Sequence, residues 1–351
     1  MITFVTRTTF MTKVSKSSVD RIRKLRKNKP KVTTLTGSII NGDAIALSQG
    51  ITMIESRNKD VSKQADELVS SCLPHCVDSL RIGITGVPGV GKSTFIEAFG
   101  NLLTKEGHRV AVLAVDPTSS LSKGSILGDK TRMDSLVKNE NAFIRPTASG
   151  SALGGVAQKT RESIVLCEAA GFDIVIVETV GVGQSETSVH GMTDFFLLLK
   201  IAGAGDELQG MKRGIIEMAD MIAINKADGT NKRAAEKAKS EFKSALHLYP
   251  KKESNVNADV KLCSSLTHLG LDEILNGIKY YQNKTLENGY FHLKRKRQNK
   301  HWFLQTIESQ LRRDFFEHDE IKRHFDDYLT KINRSEITPF QAAEKLLGRA
   351  K

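Results

Sequence analysis

The sequence lacks the features that mark membrane-spanning, disulfide-stabilised and metal-delivering proteins. No apolar run approaches the roughly 18 residues that a membrane-spanning helix needs. The nine histidines form no cluster, and the four cysteines have no C-x-x-C spacing, so we expect reduced, structural thiols. These cysteines are Cys72, Cys76, Cys167 and Cys263. With 39% hydrophobic and 26% charged residues in 351, the chain instead has the composition of a globular enzyme with one substantial core.

The net charge of +12 is concentrated at the N-terminus. Residues 1–42 contain ten of the 52 Lys and Arg residues and one of the 40 acidic residues, so they carry +9 and the remainder only +3. We expect residues 1–42 to be a basic, solvated, disordered tail of a cytoplasmic protein. Because this segment is acid-poor and rich in Ser and Thr, a transit peptide to the mitochondrial matrix is the alternative. The nearly neutral remainder argues against a nucleic-acid partner.

The sequence GVPGVGKS at residues 86–93 fits the phosphate-binding pattern G-x-x-x-x-G-K-[ST]. A strand-like run precedes it and a helix-like run follows it, which is the setting that this loop requires. The glycines allow backbone N–H groups to surround a polyphosphate, Lys92 can reach the β and γ phosphates, and Ser93 can offer its hydroxyl to Mg²⁺. The predicted phosphate-binding residues are Gly86, Val87, Pro88, Gly89, Val90, Gly91, Lys92, Ser93 and Thr94.

A second motif indicates which base is bound. The apolar run at residues 221–224 leads into Asn225, Lys226, Ala227 and Asp228, an N-K-x-D sequence. The Asp228 carboxylate can accept hydrogen bonds from guanine N1–H and the N2 amino group, which adenine does not offer. Alone, a four-residue match is usually a surface turn. Together with the phosphate loop it predicts a guanine nucleotide, GTP or GDP.

Three acidic residues are candidates for binding the metal and orienting the attacking water. Glu178 ends an apolar strand-like run shortly before Gly181, and Asp116 ends another such run. Asp129 lies in a Gly-Asp-Lys sequence. Carboxylates near a magnesium-nucleotide complex can bind the metal directly, bind it through water, or orient the water. Taken singly, Asp116 and Asp129 could equally be helix-cap or turn residues.

Four further segments make the sequence resemble one family. They are VDPTSS at residues 115–120, GSILGDKTRM at 124–133, VETVGVGQSE at 177–186 and GDELQGMKRG at 205–214. In these segments the chain is similar to the MeaB/ArgK family, the GTPases that accompany cobalamin-dependent methylmalonyl-CoA mutase. The similarity runs from about Gly42 to the C-terminal region. The departures are small: Lys123 stands where the family has a glycine, and Ser265 where alanine is common.

The resemblance implies roles for individual residues. It places Mg²⁺ on Ser93, Asp116 and Glu178. It makes the catalytic set Lys92, Asp116, Asp129, Glu178 and Gln184. Gly181 would begin a second switch, residues 181–186, that senses the γ-phosphate. The loop that supports guanine would be Ser264, Ser265 and Leu266. An extra switch over residues 201–213 would couple the nucleotide to the partner, with Lys212 and Arg213 at that interface.

The predicted fold is α/β: a P-loop NTPase G domain with a mostly parallel sheet flanked by helices. Residues 43–79 are expected to form N-terminal helices and residues 80–288 the GTPase domain. After Gly289, apolar residues at spacings of three and four predict further helices, and Thr338 and Pro339 predict the start of the last one. By resemblance, residues 289–351 form a dimerisation arm, with Trp302 and Phe303 near the centre of a homodimer.

Three functions remain open at this point. The first is a GTPase chaperone that gates cobalamin loading and protection of methylmalonyl-CoA mutase or a related acyl-CoA mutase. The second is a kinase linked to amino-acid transport, although nothing in the sequence resembles an acceptor site. The third is a metallochaperone GTPase, against which the absence of a His-rich tract and a Cys pair argues.

Overall fold

A seven-stranded sheet forms the centre of the molecule. The structure, a computed structural model, describes residues 31–56, 58–116, 133–148, 153–179, 185–203 and 213–349. The strands are β1 (Leu80–Thr85), β2 (Val110–Asp116), β3 (Ala142–Ala148), β4 (Ile174–Thr179), β5 (Phe195–Ile201), β6 (Met221–Asn225) and β7 (Asp259–Leu262). They are all parallel, in the order β3-β2-β4-β1-β5-β6-β7. The predicted parallel α/β sheet is therefore confirmed.

Helices cover both faces of this sheet. The first half of the described chain contains α1 (Val32–Ile40), α2 (Ala44–Glu55), α3 (Lys59–Cys72), α4 (Lys92–Lys105), α5 (Asp134–Val137), α6 (Leu153–Ala169) and α7 (Ser185–His190). The second half contains α8 (Arg213–Met218), α9 (Lys232–Leu246), α10 (Leu271–Glu287), α11 (Tyr290–Glu317), α12 (Asp319–Asn333) and α13 (Pro339–Gly348). Because both faces are covered, the inner strands β4, β5 and β6 consist of nearly continuous, buried apolar residues.

Alternating residues of each strand contribute to different cores. On β4, Ile174 and Ile176 pack with Phe95 and Phe99 of α4. Val175 and Val177 point the other way and pack with the N-terminal helices and α6. On the second face, beneath β6 and β7, Phe242 of α9 fills a third cluster. Successive side chains of a strand point to opposite faces, so one apolar run serves both layers.

The folded part begins earlier than the sequence predicted. Residues 1–42 were expected to form a solvated tail, but residues 32–40 form α1, with Leu35 and Ile39 buried against α2 and α3. Lys31 ends the basic run, and the following segment has no charged residue and a repeated apolar face. That face drives packing. Residues 1–30 lie outside the described part of the chain.

The C-terminal helices are where the sequence placed them, but their contacts differ. Thr338 and Gln341 cap α13 reciprocally, with Pro339 at its first position, as predicted. Trp302 was expected near the centre of a dimer. Instead it is 7% exposed and packs within its own chain, where its indole Nε1 donates to Gly191 O at 3.0 Å. An indole N–H needs such a partner when it is buried.

Candidate functional site

The phosphate loop connects the end of β1 to the start of α4, as predicted. Two of its three glycines are required by close approaches of other backbone and side-chain atoms. A Cβ at Gly86 would lie 2.5 Å from Leu199 O on β5. Gly91 has a φ of +94°, and a Cβ there would lie 2.9 Å from Asn225 Nδ2. Neither position accepts a side chain, so the loop can pass close to both β5 and the base-binding loop.

Lys92 is held inside the phosphate loop. Its ammonium donates to Gly86 O at 2.8 Å and more weakly to Val87 O at 3.5 Å. Burial lowers the pKa of Lys92, and the carboxylates of Glu178 and Glu186 oppose that shift. The lysine is thus a buried cation at the start of a helix, with two carboxylates beside it. This is the arrangement expected of a group that neutralises phosphate charge.

Asn225 links the base-binding loop to the phosphate loop. Its buried amide Nδ2 donates to Val90 O at 2.9 Å. Its Oδ1 accepts from the backbone N of Ser265 at 3.2 Å and from Ser265 Oγ at 2.9 Å. Lys226, with a φ of +58°, donates from Nζ to Gly89 O at 3.0 Å. The two motifs, far apart in sequence, therefore form one site.

The loop after β7 positions the carboxylate that was predicted to read guanine. Ser264 Oγ donates to Asp228 Oδ2 and itself accepts from the backbone N of Thr267 at 3.1 Å. Ala227 N donates to Cys263 O at 3.0 Å, which joins the ends of β6 and β7. Asp228 is only half-buried, so its carboxylate can face a base. The third residue of this loop, Leu266, has a side chain that is 80% exposed and therefore packs little against the rest of the protein.

Two of the three predicted metal ligands lie at the carboxyl ends of the neighbouring strands β4 and β2, and the third, Ser93, lies at the start of α4. Glu178 of β4 is buried and lies level with Ile84 of β1 and Ala114 of β2. Asp116 ends β2 two residues beyond Ala114, although its side chain is outside the described part. A hydroxyl at Ser93 and these carboxylates are hard oxygen ligands of the kind that Mg²⁺ prefers. The chemistry of these oxygen donors would suit a magnesium ion.

Some site predictions fall on residues that the structure does not describe. These are Asp129, Gly181, Gln184 and Lys212, together with the side chain of Arg213. Within the described ranges, no group of three His, Cys, Asp or Glu side chains is arranged to hold a metal ion. No helix of the described chain is long and apolar enough to cross a membrane.

Sequence reasoning missed two features of the site. Thr179 Oγ1 donates to Thr85 Oγ1 at 2.8 Å, a buried bond that joins the ends of β4 and β1 beside Glu178. Glu186 is buried at the start of α7, close enough to influence Lys92. The sequence places Glu186 at the end of the predicted second switch but assigns it no role, because its burial depends on how α7 packs.

Comparisons with known proteins agree with this geometry. A family model described as methylmalonyl Co-A mutase-associated GTPase MeaB matches residues 47–320. GTPase ArgK of Escherichia coli (strain K12) is 44% identical over 298 residues, 85% of this chain and 90% of that protein. The mitochondrial methylmalonic aciduria type A homolog of Mus musculus is 40% identical over 326 residues, 90% of this chain and 79% of that protein.

A solved structure supports the same assignment. The crystal structure of a LAO/AO transport system kinase has a TM-score of 0.73 and 36% identity, and the match covers 92% of this chain and 98% of that one. The family model spans residues 47–320, most of the chain, and this range contains the phosphate loop and the N-K-x-D motif. The chain is therefore a GTPase that belongs to the MeaB family.

Proposed function

We propose that this GTPase binds GTP with Mg²⁺ and acts as a chaperone of a cobalamin-dependent methylmalonyl-CoA mutase or a related acyl-CoA mutase, gating cofactor loading. The observation that carries the proposal is the match of residues 47–320 to a family defined by association with that mutase. The name of the mouse relative, a methylmalonic aciduria type A homolog, points the same way.

Guanine specificity is supported by the position of Asp228. The Ser264 hydroxyl orients its carboxylate, and Asn225 holds the loop at a fixed distance from the phosphates. Adenine has neither an N1–H nor a 2-amino group, so it would leave that carboxylate without a partner, which discriminates strongly against adenine. GTP and GDP should therefore bind at micromolar concentrations or better, and ATP much more weakly.

The metal would be held by Ser93, Asp116 and Glu178, and it would neutralise charge on the β and γ phosphates. Lys92 supplies the protein's own positive charge at the same phosphates. Lys92→Ala should remove hydrolysis.

Glu178→Ala should impair magnesium-dependent turnover more than GDP binding, and unchanged turnover would contradict the placement of Glu178.

The proposed coupling to the partner runs through the segment between β5 and α8. Ile201, at the end of β5, lies level with Asn225 of β6 in the sheet. Leu199 of the same strand lies against the phosphate loop at Gly86. The chain therefore leaves the sheet next to both halves of the nucleotide site. This position supports the proposal that the nucleotide state is passed on through this segment.

The test measures GTP hydrolysis with and without the purified mutase of the same organism. We expect tight binding and faster hydrolysis in the complex, with a reciprocal coupling of roughly 1 to 3 kcal/mol between nucleotide and partner. The double variant Lys212→Ala, Arg213→Ala should keep GDP affinity and lose the acceleration. If the mutase neither binds nor changes the rate at micromolar concentration, the chaperone proposal is wrong and the GTPase assignment stands.

A kinase function is the second candidate because the similar crystal structure is that of a LAO/AO transport system kinase. The two functions differ in the fate of the γ-phosphate. Incubation with γ-labelled GTP should release all label as inorganic phosphate. Label retained on a protein would favour the kinase.

A further inference from the structure

Two polar atoms at the start of α7 are buried without a hydrogen-bond partner: Ser185 Oγ and Glu186 Oε2. Glu186 is only 4% exposed. An unpaired buried carboxylate oxygen is costly, and native proteins usually satisfy such groups. A third such atom, Arg145 Nε, differs because the other guanidinium nitrogens of that residue bind Ser48, Thr52 and Glu55. Glu186 therefore requires a specific explanation.

Packing of α7 on β1 fixes where Glu186 lies. A Cβ at Gly83 would be 3.0 Å from Val189 Cγ1 and 2.8 Å from Thr193 Oγ1, so α7 and the turn after it rest directly on this strand. The chain leaves β4 at the nucleotide edge and enters β5 at the opposite edge, so α7 runs away from the nucleotide. Glu186, one turn before Val189, is about 4.5 Å nearer to that edge. It thus lies beside the end of β1, where the phosphate loop begins.

The charges at this point agree with the packing. Lys92 is flanked by Glu178 and Glu186, and both carboxylates favour its charged form against the lowering of its pKa by burial. One ammonium thus faces two buried carboxylates. Because a carboxylate repels phosphate oxygens, the nucleotide itself cannot satisfy Glu186 Oε2. A hydrogen-bond donor that accompanies the γ-phosphate can.

We propose that Glu186 accepts a hydrogen bond from the water that attacks the γ-phosphorus of GTP and so orients that water. The water oxygen forms a bond to phosphorus, and the bond between phosphorus and the β,γ-bridging oxygen breaks, with its electron pair leaving on GDP. The water proton ends on the released phosphate, and Glu186 is unchanged. This role rests on GTP hydrolysis at the phosphate loop and is independent of the proposed mutase partner.

The test is Glu186→Gln, which keeps the size of the side chain and removes its charge. We expect kcat to fall by roughly 100-fold, the lower range for loss of a group that acts on the transferred proton. The KM for GTP, the Kd for GDP and the Mg²⁺ concentration for half-maximal rate should change less than about threefold, because the carboxylate acts on the water and not on bound ligands. Glu236→Gln, the same substitution at an exposed position on α9, is the control and should behave like the wild type.

Three outcomes would overturn the proposal. The first is a normal kcat in the glutamine variant. The second is a large rise in the Mg²⁺ concentration that this variant requires, which would make Glu186 a metal-site residue. The third is a loss of GDP affinity as large as the loss of kcat. If the glutamine variant does not fold, Glu186→Asp takes its place with the same measurements, because it keeps the charge and withdraws the oxygens by one methylene. A mutase that leaves hydrolysis unchanged would count against the partner proposal alone.

Discussion

At the scale of single residues, Asn225 is the most connected side chain of the site. Its amide makes hydrogen bonds to three backbone or hydroxyl groups from two loops. Its Nδ2 also lies so close to Gly91 that a Cβ there would be only 2.9 Å away, so Gly91 cannot carry a side chain. Its amide therefore sets the spacing between the loop that binds phosphate and the loop that binds the base. A guanine nucleotide has to span this distance when it binds to both loops.

Asn225→Ala should lower GDP affinity by at least roughly tenfold and reduce the free energy of unfolding by about 1 to 3 kcal/mol, because Val90 O and the Ser265 groups lose a buried partner. Calorimetry and urea unfolding measure the two effects. Asn231→Ala is a matched control, since that amide donates to Lys226 O at an exposed position. Equal effects of both variants would contradict the linking role of Asn225.

Asp228→Asn should move the preference from guanine toward xanthine nucleotides. An amide nitrogen at this position donates to the xanthine 2-oxo group, whereas the carboxylate accepts from the guanine amino group. Titrations with GDP and XDP give the ratio of affinities, and ATP provides the reference for non-specific binding. Equal affinity of the wild type for ATP and GTP would show that residues 225–228 do not read the base.

At the scale of elements, the first half of α11 belongs to the GTPase domain. Arg295 binds Asp194 with Nε at 2.8 Å and Nη2 at 2.7 Å, and Lys294 donates to Asp194 O at 2.8 Å. Gln298 donates to Thr193 O at 2.9 Å. With Trp302, these residues hold one helical face against the turn between α7 and β5. The first half of this long helix therefore supports the turn before β5, whereas Phe316 in its last turn packs against Phe325 of α12.

Trp302→Ala should reduce the free energy of unfolding by about 3 to 5 kcal/mol, the usual cost of truncating a buried aromatic side chain. Phe303→Ala, one residue further on and 66% exposed, should change it by less than about 0.5 kcal/mol. Urea unfolding at protein concentrations low enough to exclude association makes the comparison. A larger effect at Phe303 would place the apolar centre of the helix on the other face.

At the scale of the whole molecule, the two ends of the sheet differ in chemistry. The nucleotide loops occupy the carboxyl edge. The opposite edge carries a charged cluster in which Asp220 binds Lys252 at 3.1 Å and lies 3.7 Å from Lys294. Burial raises the pKa of Asp220, but the two lysines and His190 outweigh it, so the net shift is downward. This cluster fastens α11 and the turn before β6 to each other.

His190 makes the free energy of unfolding depend on pH. Burial, with help from Lys294, lowers the pKa of His190 from 6.5 to about 4, against the opposing effect of Asp220. The neutral histidine therefore contributes its full stability above pH 6.5, and that contribution is lost as pH falls from 6.5 toward 4. His190→Gln removes the titration. Between pH 7.5 and 5.5 the free energy of unfolding of the wild type, measured with urea, should fall by about 1 kcal/mol more than that of the variant. Equal decreases in the two proteins would contradict this role of His190.

The C-terminal helices carry an apolar cleft of about 800 Å³ whose lining includes Leu311, Phe315, Phe325, Leu329 and Leu346. The predicted homodimer would bury it. Light scattering at micromolar concentration should give a dimer. A chain ending at Glu308, which retains Trp302 but lacks the cleft, should be a monomer that still binds GDP. A monomeric full-length protein would show that the dimer prediction is wrong.

The sequence by itself determined the type of fold and the GTPase family, and it predicted which residues form the nucleotide site. The phosphate loop, the N-K-x-D motif and the strand ends that carry Glu178 and Asp116 each depend on residues close together in the chain, so local patterns suffice to recognise them. The alternation of apolar strands and helices, and the cap at Thr338, are local in the same sense. This is why the parallel sheet and the last helix could be predicted.

Only the tertiary structure decided which residues meet across the chain. Asn225 and Val90 are 135 positions apart, and their contact depends on β6 lying next but one to β1 in the sheet. Trp302 faces inward because α11 lies against the turn before β5, although its periodicity would equally suit a dimer. Glu186 is buried because Gly83 allows α7 to rest on β1. Burial is a property of packing between distant segments, and no local pattern contains it.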